Sequence, residues 1–266
     1  MDLKLQGKRA LVTGSTTGIG EGIALTLAAE GAKVVVHGRN AEAAAAVQAA
    51  IRSAGGEAAV AIGDLSSDLS ALKVADEARS AFGGIDILVN NAGVYDQVGW
   101  MESSTEKWSR MFNTDLLSMV RLIQALAPDM QARGWGRLIQ ISSVAAVQPY
   151  DFGPDYSAVK AGVDNLTVSL SKHLANSGVN AVTITPGPIM TKGFEELWRA
   201  QAAGRNWGES WEEIEAGVVR DVLPNAVGRV GRVEEVAALV ALVASPLGGY
   251  INGANLRVDG GYVIGV

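Results

Sequence analysis

Short apolar runs alternate with longer helical segments along most of this chain, and this alternation restricts the fold more than any other feature. The first run, RALVTG, ends in glycine, and the segment after it has apolar residues at three- and four-residue intervals. The later predicted strands are KVVVHGRN, EAAVAIGD, IDILVNNAG, GRLIQISS, NAVTITPG and ANLRVDGG. Strands that alternate with helices of about ten residues or more are typical of parallel sheets with right-handed crossovers. We therefore predict one α/β domain over residues 1–266, with a doubly wound parallel sheet of about seven strands.

A glycine-rich turn, TGSTTGIG, lies between the first predicted strand and the first helix. Gly14 and Gly18 permit a tight turn and a close approach of backbone to ligand, and Gly20 lets the helix pack near the sheet. The start of the helix offers free N–H groups to a pyrophosphate. The glycine spacing differs from G-x-G-x-x-G, but the strand–turn–helix context predicts a Rossmann-type dinucleotide site. The residues expected at this part of the site are Gly14, Ser15, Thr17, Gly18, Ile19 and Gly20.

The end of the second predicted strand bears on the choice of dinucleotide. NAD-binding proteins usually have an acidic residue here, but this chain has Gly38 followed by Arg39. A guanidinium suits a 2′-phosphate, so we predict NADP(H) rather than NAD(H); the alternative is that Arg39 is simply solvated. The ends of the next two strands are expected to border the adenine and then the ribose and nicotinamide, through Asp64, Leu65, Asn91, Ala92 and Gly93.

A hydroxyl, a phenol and an ammonium group occur close together in SVAAVQPYDFGPDYSAVK, at Ser143, Tyr156 and Lys160. The last two lie four residues apart in a predicted helix and so share one face. A phenol ordinarily loses its proton near pH 10, and a nearby cation favours the charged form. The three groups therefore predict proton transfer at a carbonyl or alcohol, although Tyr-x-x-x-Lys also occurs on helices without function.

Composition excludes several other functions. There is no cysteine, and the two histidines, His37 and His173, are far apart, so we expect no metal site. The net charge of −6 with mixed signs argues against nucleic-acid binding. The N-terminus has no apolar signal core, and no apolar run approaches the roughly 20 residues of a membrane span. We expect a cytoplasmic protein with a small-molecule substrate and no membrane or nucleic-acid partner.

Two segments depart from the regular alternation. The predicted helix from about Thr105 to Arg133 contains Pro128, where it is expected to kink or break. Residues 190–230 are rich in Trp, Glu and Gly, and we interpret them as a helical lid inserted over the substrate site. A subunit-contact arm is the alternative interpretation of that segment.

With these motifs in order, the chain resembles the short-chain dehydrogenase/reductases over essentially its whole length, and within them the 3-oxoacyl-acyl-carrier-protein reductase-like subgroup. The motifs are TGSTTGIG, Asp64, NNAG, Ser143, YSAVK, PGPIMT and the closing VDGG. The resemblance implies a nicotinamide-dependent oxidoreductase acting on a carbonyl/alcohol pair. With the NADP(H) preference inferred from Arg39, we expect an enzyme that interconverts a ketone, aldehyde or 3-oxoacyl carbonyl with a secondary or primary alcohol. It also implies a homotetramer.

The resemblance assigns roles to individual residues. Tyr156 would be the acid/base, Lys160 would assist it and bind the nicotinamide ribose, and Ser143 rather than Ser142 would hold the substrate oxygen. The nicotinamide carboxamide and diphosphate would be seated by Pro186, Gly187, Ile189 and Thr191.

One position departs from the family pattern. Counting back from Ser143, Asp115 occurs where the family has an asparagine that completes the catalytic set, and Asn113 is the competing candidate. An aspartate there would attract the Lys160 ammonium, so we expect activity with an altered pH profile. Two other functions stay open: an NAD-dependent alcohol or sugar dehydrogenase, and a cofactor-binding protein without turnover.

Overall fold

The computed structural model describes residues 1–265; residue 266, the last of the predicted domain, lies outside the described residues. The strands are β1 (Arg9–Val12), β2 (Lys33–Gly38), β3 (Glu57–Ile62), β4 (Ile87–Asn90), β5 (Gly136–Ile141), β6 (Val179–Pro186), β7 (Ile189–Met190), β8 (Gly231–Arg232) and β9 (Asn255–Val258). Across residues 1–265, seven of them form one parallel sheet in the order β3-β2-β1-β4-β5-β6-β9. The predicted doubly wound sheet is confirmed.

Helices cover both faces of this sheet. They are α1 (Gly18–Ala29), α2 (Ala41–Ser53), α3 (Asp68–Phe82), α4 (Thr105–Phe112), α5 (Ser118–Arg133), α6 (Pro154–His173), α7 (Lys192–Arg205), α8 (Trp211–Asp221) and α9 (Val233–Ala244). Because side chains alternate along a strand, Ala10 and Val12 pack with α1, α2 and α9, whereas Leu11 packs with α3 and α5. Strands covered on both faces must be apolar throughout, which explains the uninterrupted apolar runs in the sequence. Within residues 1–265, no helix is long and apolar enough to cross a membrane.

The order of the sheet determines where a ligand can bind. The chain winds outward in both directions from β1 and β4, and Val12 at the end of β1 is in register with Val36 of β2 and Val89 of β4. The carboxyl ends of these strands therefore meet at one edge. Such a reversal of strand order opens a crevice at that edge, which is the usual ligand site of open α/β sheets.

The long helical segment from Thr105 to Arg133 differs from its prediction. α5 continues through Pro128 to Arg133, so the predicted break is wrong. The irregularity lies earlier instead, in a π-helical turn over Asn113–Leu117 that joins α4 to α5. This turn contains Asp115, whose side chain is fully buried. π-helical turns are rare and often occur at functional sites.

α7 and α8 fill most of the Trp-rich segment and have an apolar cluster of their own. Trp198 and Trp207 pack there with Val144, which follows β5, and with Tyr262 near the C-terminus. The α8 backbone lies close to the Trp207 ring at Gly217, where an added Cβ would be 2.3 Å from the ring. The two helices are therefore held against the carboxyl end of the sheet by packing.

Candidate active site

The glycine-rich turn after β1 has the geometry of an anion cradle. Gly14 and Gly18 have φ of 61° and 60°, and a Cβ on Gly14 would lie 2.9 Å from the Ala92 Cα. α1 begins at Gly18, and Thr17 before it makes no side-chain cap, so the first N–H groups of α1 have no side-chain acceptor. Free amides at a helix start beside a glycine turn fit the pyrophosphate of a dinucleotide.

Side chains behind the turn fix its shape. The Ser15 hydroxyl donates to the Val12 carbonyl at 2.7 Å and accepts from the His37 amide at 3.0 Å. The Asn91 side-chain amide donates to the Thr13 and Gly14 carbonyls at 2.9 and 3.1 Å. Ser15 is fully buried. The Asn91 amide points toward the two backbone carbonyls of the turn. We conclude that these two residues, predicted to contact the cofactor, hold the turn from behind.

His37 is a part of this site that the sequence did not identify. Its ring Nδ1 accepts from the Gly14 amide at 3.2 Å, and Nε2 lies 3.2 Å from the Gly63 carbonyl, to which it donates when Nδ1 is unprotonated. Burial lowers the pKa of His37 from 6.5 to about 4, although Asp64 and Glu77 oppose the shift. The ring is therefore neutral at pH 7 and joins the glycine turn to the end of β3.

A cavity of about 220 Å³, here named the Arg39 cavity, lies between the ends of β1, β2, β3 and β4. The exposed Arg39 lies on its wall. Hydrogen bonds from the Ser66 amide and hydroxyl, followed by the Arg39 charge, lower the pKa of Asp64 on the same wall, although burial opposes the shift. The predicted residues that line the cavity are Gly14, Thr17, Arg39, Asp64, Leu65, Ala92 and Gly93; those that were not predicted include Thr16, His37, Gly38 and Thr114.

The two serines at the end of β5 point in different directions. The buried Ser142 donates to the Lys160 carbonyl at 3.3 Å and faces α6. Ser143 accepts from the Ala145 amide at 3.2 Å, and its hydroxyl lines the cleft described below, where the proton is free for a ligand. The geometry therefore favours Ser143 over Ser142 as the ligand-binding hydroxyl.

Tyr156 and Lys160 lie one turn apart on α6, as their spacing predicts. The Lys160 ammonium is 5.5 Å from the centroid of the Tyr156 ring, and it donates to the Ile141 carbonyl at 3.2 Å. Lys160 is 4% exposed, whereas Tyr156 is half-buried and reaches the cleft. The structure therefore brings the ammonium and the phenol together behind the cleft wall, as the sequence predicts.

Asp115 is the counter-charge of this ammonium. Its Oδ1 accepts from the Val94 amide at 2.9 Å, and its Oδ2 lies 3.6 Å from the Lys160 Nζ. A Cβ on Gly93 would lie 2.5 Å from the same Oδ2. Burial raises the pKa of Asp115, although the Lys160 charge, the Val94 amide and the Thr114 hydroxyl oppose the shift. Asn113 instead donates to the Ser66 carbonyl, away from Lys160.

A larger cavity, here named the Tyr156 cleft, has a volume of about 800 Å³. It brings Ser143 and Tyr156 together with residues of α7, so the Trp-rich segment does border the predicted reaction site. Predicted residues on its wall are Ser143, Tyr156, Ile19, Gly187, Ile189 and Thr191. The remaining predicted residues line neither cavity: Ser15, Gly18, Gly20, Asn91, Asp115, Lys160 and Pro186.

Gly18 and Gly20, although they line neither cavity, shape the turn. Gly18 lies against Thr191, since an added Cβ would be 3.3 Å from its methyl carbon. A Cβ on Gly20 would be 2.3 Å from the Gly14 carbonyl oxygen. Of the residues that the structure describes, none forms a group of three or more metal-ligating side chains.

Known proteins resemble this chain over nearly its whole length. The model of the short chain dehydrogenase family matches residues 8–202. The uncharacterized oxidoreductase YvaG of Bacillus subtilis (strain 168) is 36% identical over 264 residues, which cover 99% of this chain and 98% of the relative. The 3-oxoacyl-[acyl-carrier-protein] reductase FabG of Haemophilus influenzae is 35% identical over 257 residues, covering 97% and 98%.

A solved structure also resembles this chain over its whole length. L-sorbose reductase from Gluconobacter frateurii, complexed with NADPH and L-sorbose, has a TM-score of 0.94 and 30% sequence identity to this chain. The match covers 100% of both chains. The likeness therefore includes the helices over the Tyr156 cleft as well as the sheet.

The neutral state of His37 predicts a pH dependence of stability. Its pKa is lowered from 6.5 to about 4 in the folded protein, so its contribution is fully present above about pH 6.5 and is lost as pH falls toward 4. Relative to His37→Gln, the wild-type free energy of unfolding should fall by about 3 kcal/mol over this range. Denaturant titrations at several pH values measure the difference. His173→Gln, at an exposed histidine, is the matched control and should follow the wild type; parallel curves for His37→Gln would contradict the assignment.

Proposed function

The chain belongs to the short-chain dehydrogenase family and is an oxidoreductase, and we propose that it interconverts a carbonyl and an alcohol with NADP(H), using Tyr156 as the acid/base. The observation that most supports this reaction is the placement of Ser143 and Tyr156 on one cleft wall, with the Lys160 ammonium buried 5.5 Å from the phenol ring. Ketones, aldehydes and 3-oxoacyl compounds all present the carbonyl that such a site would accept.

The chain's own residues account for the proton transfer. The Ser143 hydroxyl donates to the carbonyl oxygen, and the Tyr156 phenol gives its proton to the same oxygen during reduction. In the reverse direction the phenolate accepts the proton of the alcohol. Lys160 stabilises that phenolate from behind the ring. When bound, the nicotinamide supplies or receives the hydride at the carbon.

The preference for NADP(H) rests on the end of β2. Arg39 is exposed at the cavity wall, where its guanidinium is suited to a 2′-phosphate. Gly38 leaves little room for the acidic residue of an NAD site, since a Cβ there would lie 2.5 Å from the Thr16 methyl carbon. The L-sorbose reductase that the chain resembles is complexed with NADPH, which supports the same choice. The pyrophosphate would bind at the start of α1.

We also propose that the segment 190–230 acts as the substrate lid, because Phe194, Leu197 and Trp198 of α7 lie on the cleft wall. A homotetrameric assembly and a cytoplasmic location remain proposals that the family resemblance favours. Exposed apolar side chains lie in the turn before α4, at Trp100 and Met101, and at its last residue, Phe112, and they offer a surface for a subunit contact.

The proposed reaction is tested by following the loss of NADPH absorbance with a panel of ketones, aldehydes and 3-oxoacyl thioesters. Tyr156→Phe should lower kcat by about 10² to 10⁴-fold and leave NADPH binding nearly unchanged, because it removes only the acidic proton. Ser143→Ala should also lower kcat strongly, by about 10²-fold. Ser142→Ala is the matched control and should retain most activity. Full activity of Tyr156→Phe would rule out the proposed mechanism.

The role of Arg39 predicts a change of cofactor preference. Arg39→Gln should lower kcat/KM for NADPH by about tenfold or more, because it removes charge-assisted hydrogen bonds to the 2′-phosphate. The same change should leave kcat/KM for NADH nearly constant. Initial rates against each cofactor measure both values. An Arg39→Asp variant that still preferred NADPH to NADH would refute the assignment.

The Asp115–Lys160 pair predicts a shifted pH profile. In the ionised form Asp115 offsets part of the Lys160 charge, so Asp115→Asn should move the pH profile of alcohol oxidation down by about one unit. The variant should remain active, because Asn can still accept from the Val94 amide. Since the readout is the pH at which kcat is half-maximal, a loss of folded protein alone would not imitate it. An unchanged profile would mean that the Asp115 charge has no part in proton transfer.

A further inference from the structure

Aromatic rings form much of the wall of the Tyr156 cleft. Tyr150 and Phe152 stack with centroids 4.9 Å apart and planes 9° apart, and Tyr95 meets the Tyr156 ring edge-on at 4.9 Å. From α7, Phe194 and Trp198 add a further pair, with centroids 6.0 Å apart. Rings on three separate segments therefore converge on the cleft around the reaction site.

The rest of the wall beyond the nicotinamide side is largely aliphatic. Val98 and Val144 line the cleft, and Leu197, Val222 and Leu223 of the Trp-rich segment extend its apolar surface. The Tyr150 phenol faces Tyr262, and burial raises the pKa of Tyr150. The Tyr150 phenol therefore stays neutral at pH 7.

Charge is nearly absent from the wall. Among the cleft residues within positions 1–265, no lysine, arginine or histidine occurs, and the one carboxylate is Asp96. A cation lies just outside: the Arg110 guanidinium is 3.5 Å from the Asp96 carboxylate, with side-chain exposures of 64% and 51%. The Arg110 guanidinium, with which an anionic substrate could otherwise pair at this rim, is therefore already paired with the Asp96 carboxylate.

Resting on the function proposed above, we infer that the substrate is an uncharged ketone with an aromatic or alicyclic body, and that the Asp96–Arg110 pair selects against anionic carbonyl compounds. A carboxylate buried in this cleft would meet apolar walls and the Asp96 charge, and no lysine, arginine or histidine occurs among the described cleft residues to pair with it. A ketose would bury several hydroxyls, and those that face the valine, leucine and phenylalanine side chains of the wall would lose hydrogen bonds to water without gaining a partner. A flat hydrocarbon body instead gains contact with the rings on both sides.

The inference is tested with probes that share one reacting group and differ only in the para substituent. With NADPH, kcat/KM should fall in the order para-isopropylacetophenone, para-acetylbenzamide, para-acetylbenzoate, and the benzoate should be at least about tenfold below the isopropyl compound. Acetoacetyl-coenzyme A and L-sorbose are added as an anionic thioester and a polyol. A higher kcat/KM for the benzoate, the thioester or the sugar than for the isopropyl ketone would overturn the inference and leave the carbonyl reductase proposal intact.

Two exposed variants test the charged pair, and neither lies in the reacting machinery. Asp96→Asn frees Arg110 and should raise the ratio of kcat/KM for benzoate to that for benzamide about two- to fivefold. Arg110→Gln leaves Asp96 uncompensated and should lower the same ratio by a similar factor. A purely structural effect would shift the benzoate-to-benzamide ratio in the same direction in both variants, or would not shift it in either. Either result would remove the Asp96–Arg110 pair from the inference. If no carbonyl compound is reduced although NADPH binds, the proposed function fails, and the inference fails with it.

Discussion

The buried ammonium of Lys160 is the interaction on which the reaction end of the site depends. A cation that is 4% exposed must have acceptors, and Lys160 has the Ile141 carbonyl at 3.2 Å and the Asp115 carboxylate at 3.6 Å. These two partners come from the end of β5 and from the π-helical turn between α4 and α5. The ammonium therefore joins three elements behind the phenol that it polarises. Asp115 is the partner that carries the compensating charge, whereas the Ile141 carbonyl supplies a neutral acceptor.

Asp115 has a second function in this arrangement. Its other oxygen accepts from the Val94 amide, so the same carboxylate also positions the chain that leaves β4. The close approach of Gly93 to Asp115 leaves little room for a side chain there, which accounts for the glycine at this position of the NNAG motif. An asparagine would keep the hydrogen bond to the Val94 amide but not the charge. The aspartate of this chain therefore preserves the geometry and changes the electrostatics.

At the other end of the site, neutral groups perform the corresponding structural task. His37 accepts a hydrogen bond from the Gly14 amide and lies within hydrogen-bond distance of the Gly63 carbonyl. Ser15 and Asn91 hold the glycine turn from behind through hydrogen bonds to its backbone. A charged group at the position of His37 would compete with the Arg39 guanidinium for the anionic ligand that the cradle fits. A buried, neutral imidazole provides hydrogen bonds to the turn without competing for that ligand. Aromatic side chains form much of the wall of the Tyr156 cleft around Ser143 and Tyr156.

The amino-acid sequence by itself determined the sheet, the glycine turn and the spacing of Ser143, Tyr156 and Lys160, because each depends on local periodicity or on the order of strand ends. The tertiary structure alone decided that α5 continues past Pro128 and that Ser142 faces α6. It also revealed His37 beneath the glycine turn and the 3.6 Å separation of Asp115 and Lys160. These contacts join residues that are between 18 and 45 positions apart and whose separation no helical or strand period fixes. Only packing of the complete chain, which sets the relative depth of neighbouring elements, brings them within hydrogen-bond or ion-pair distance.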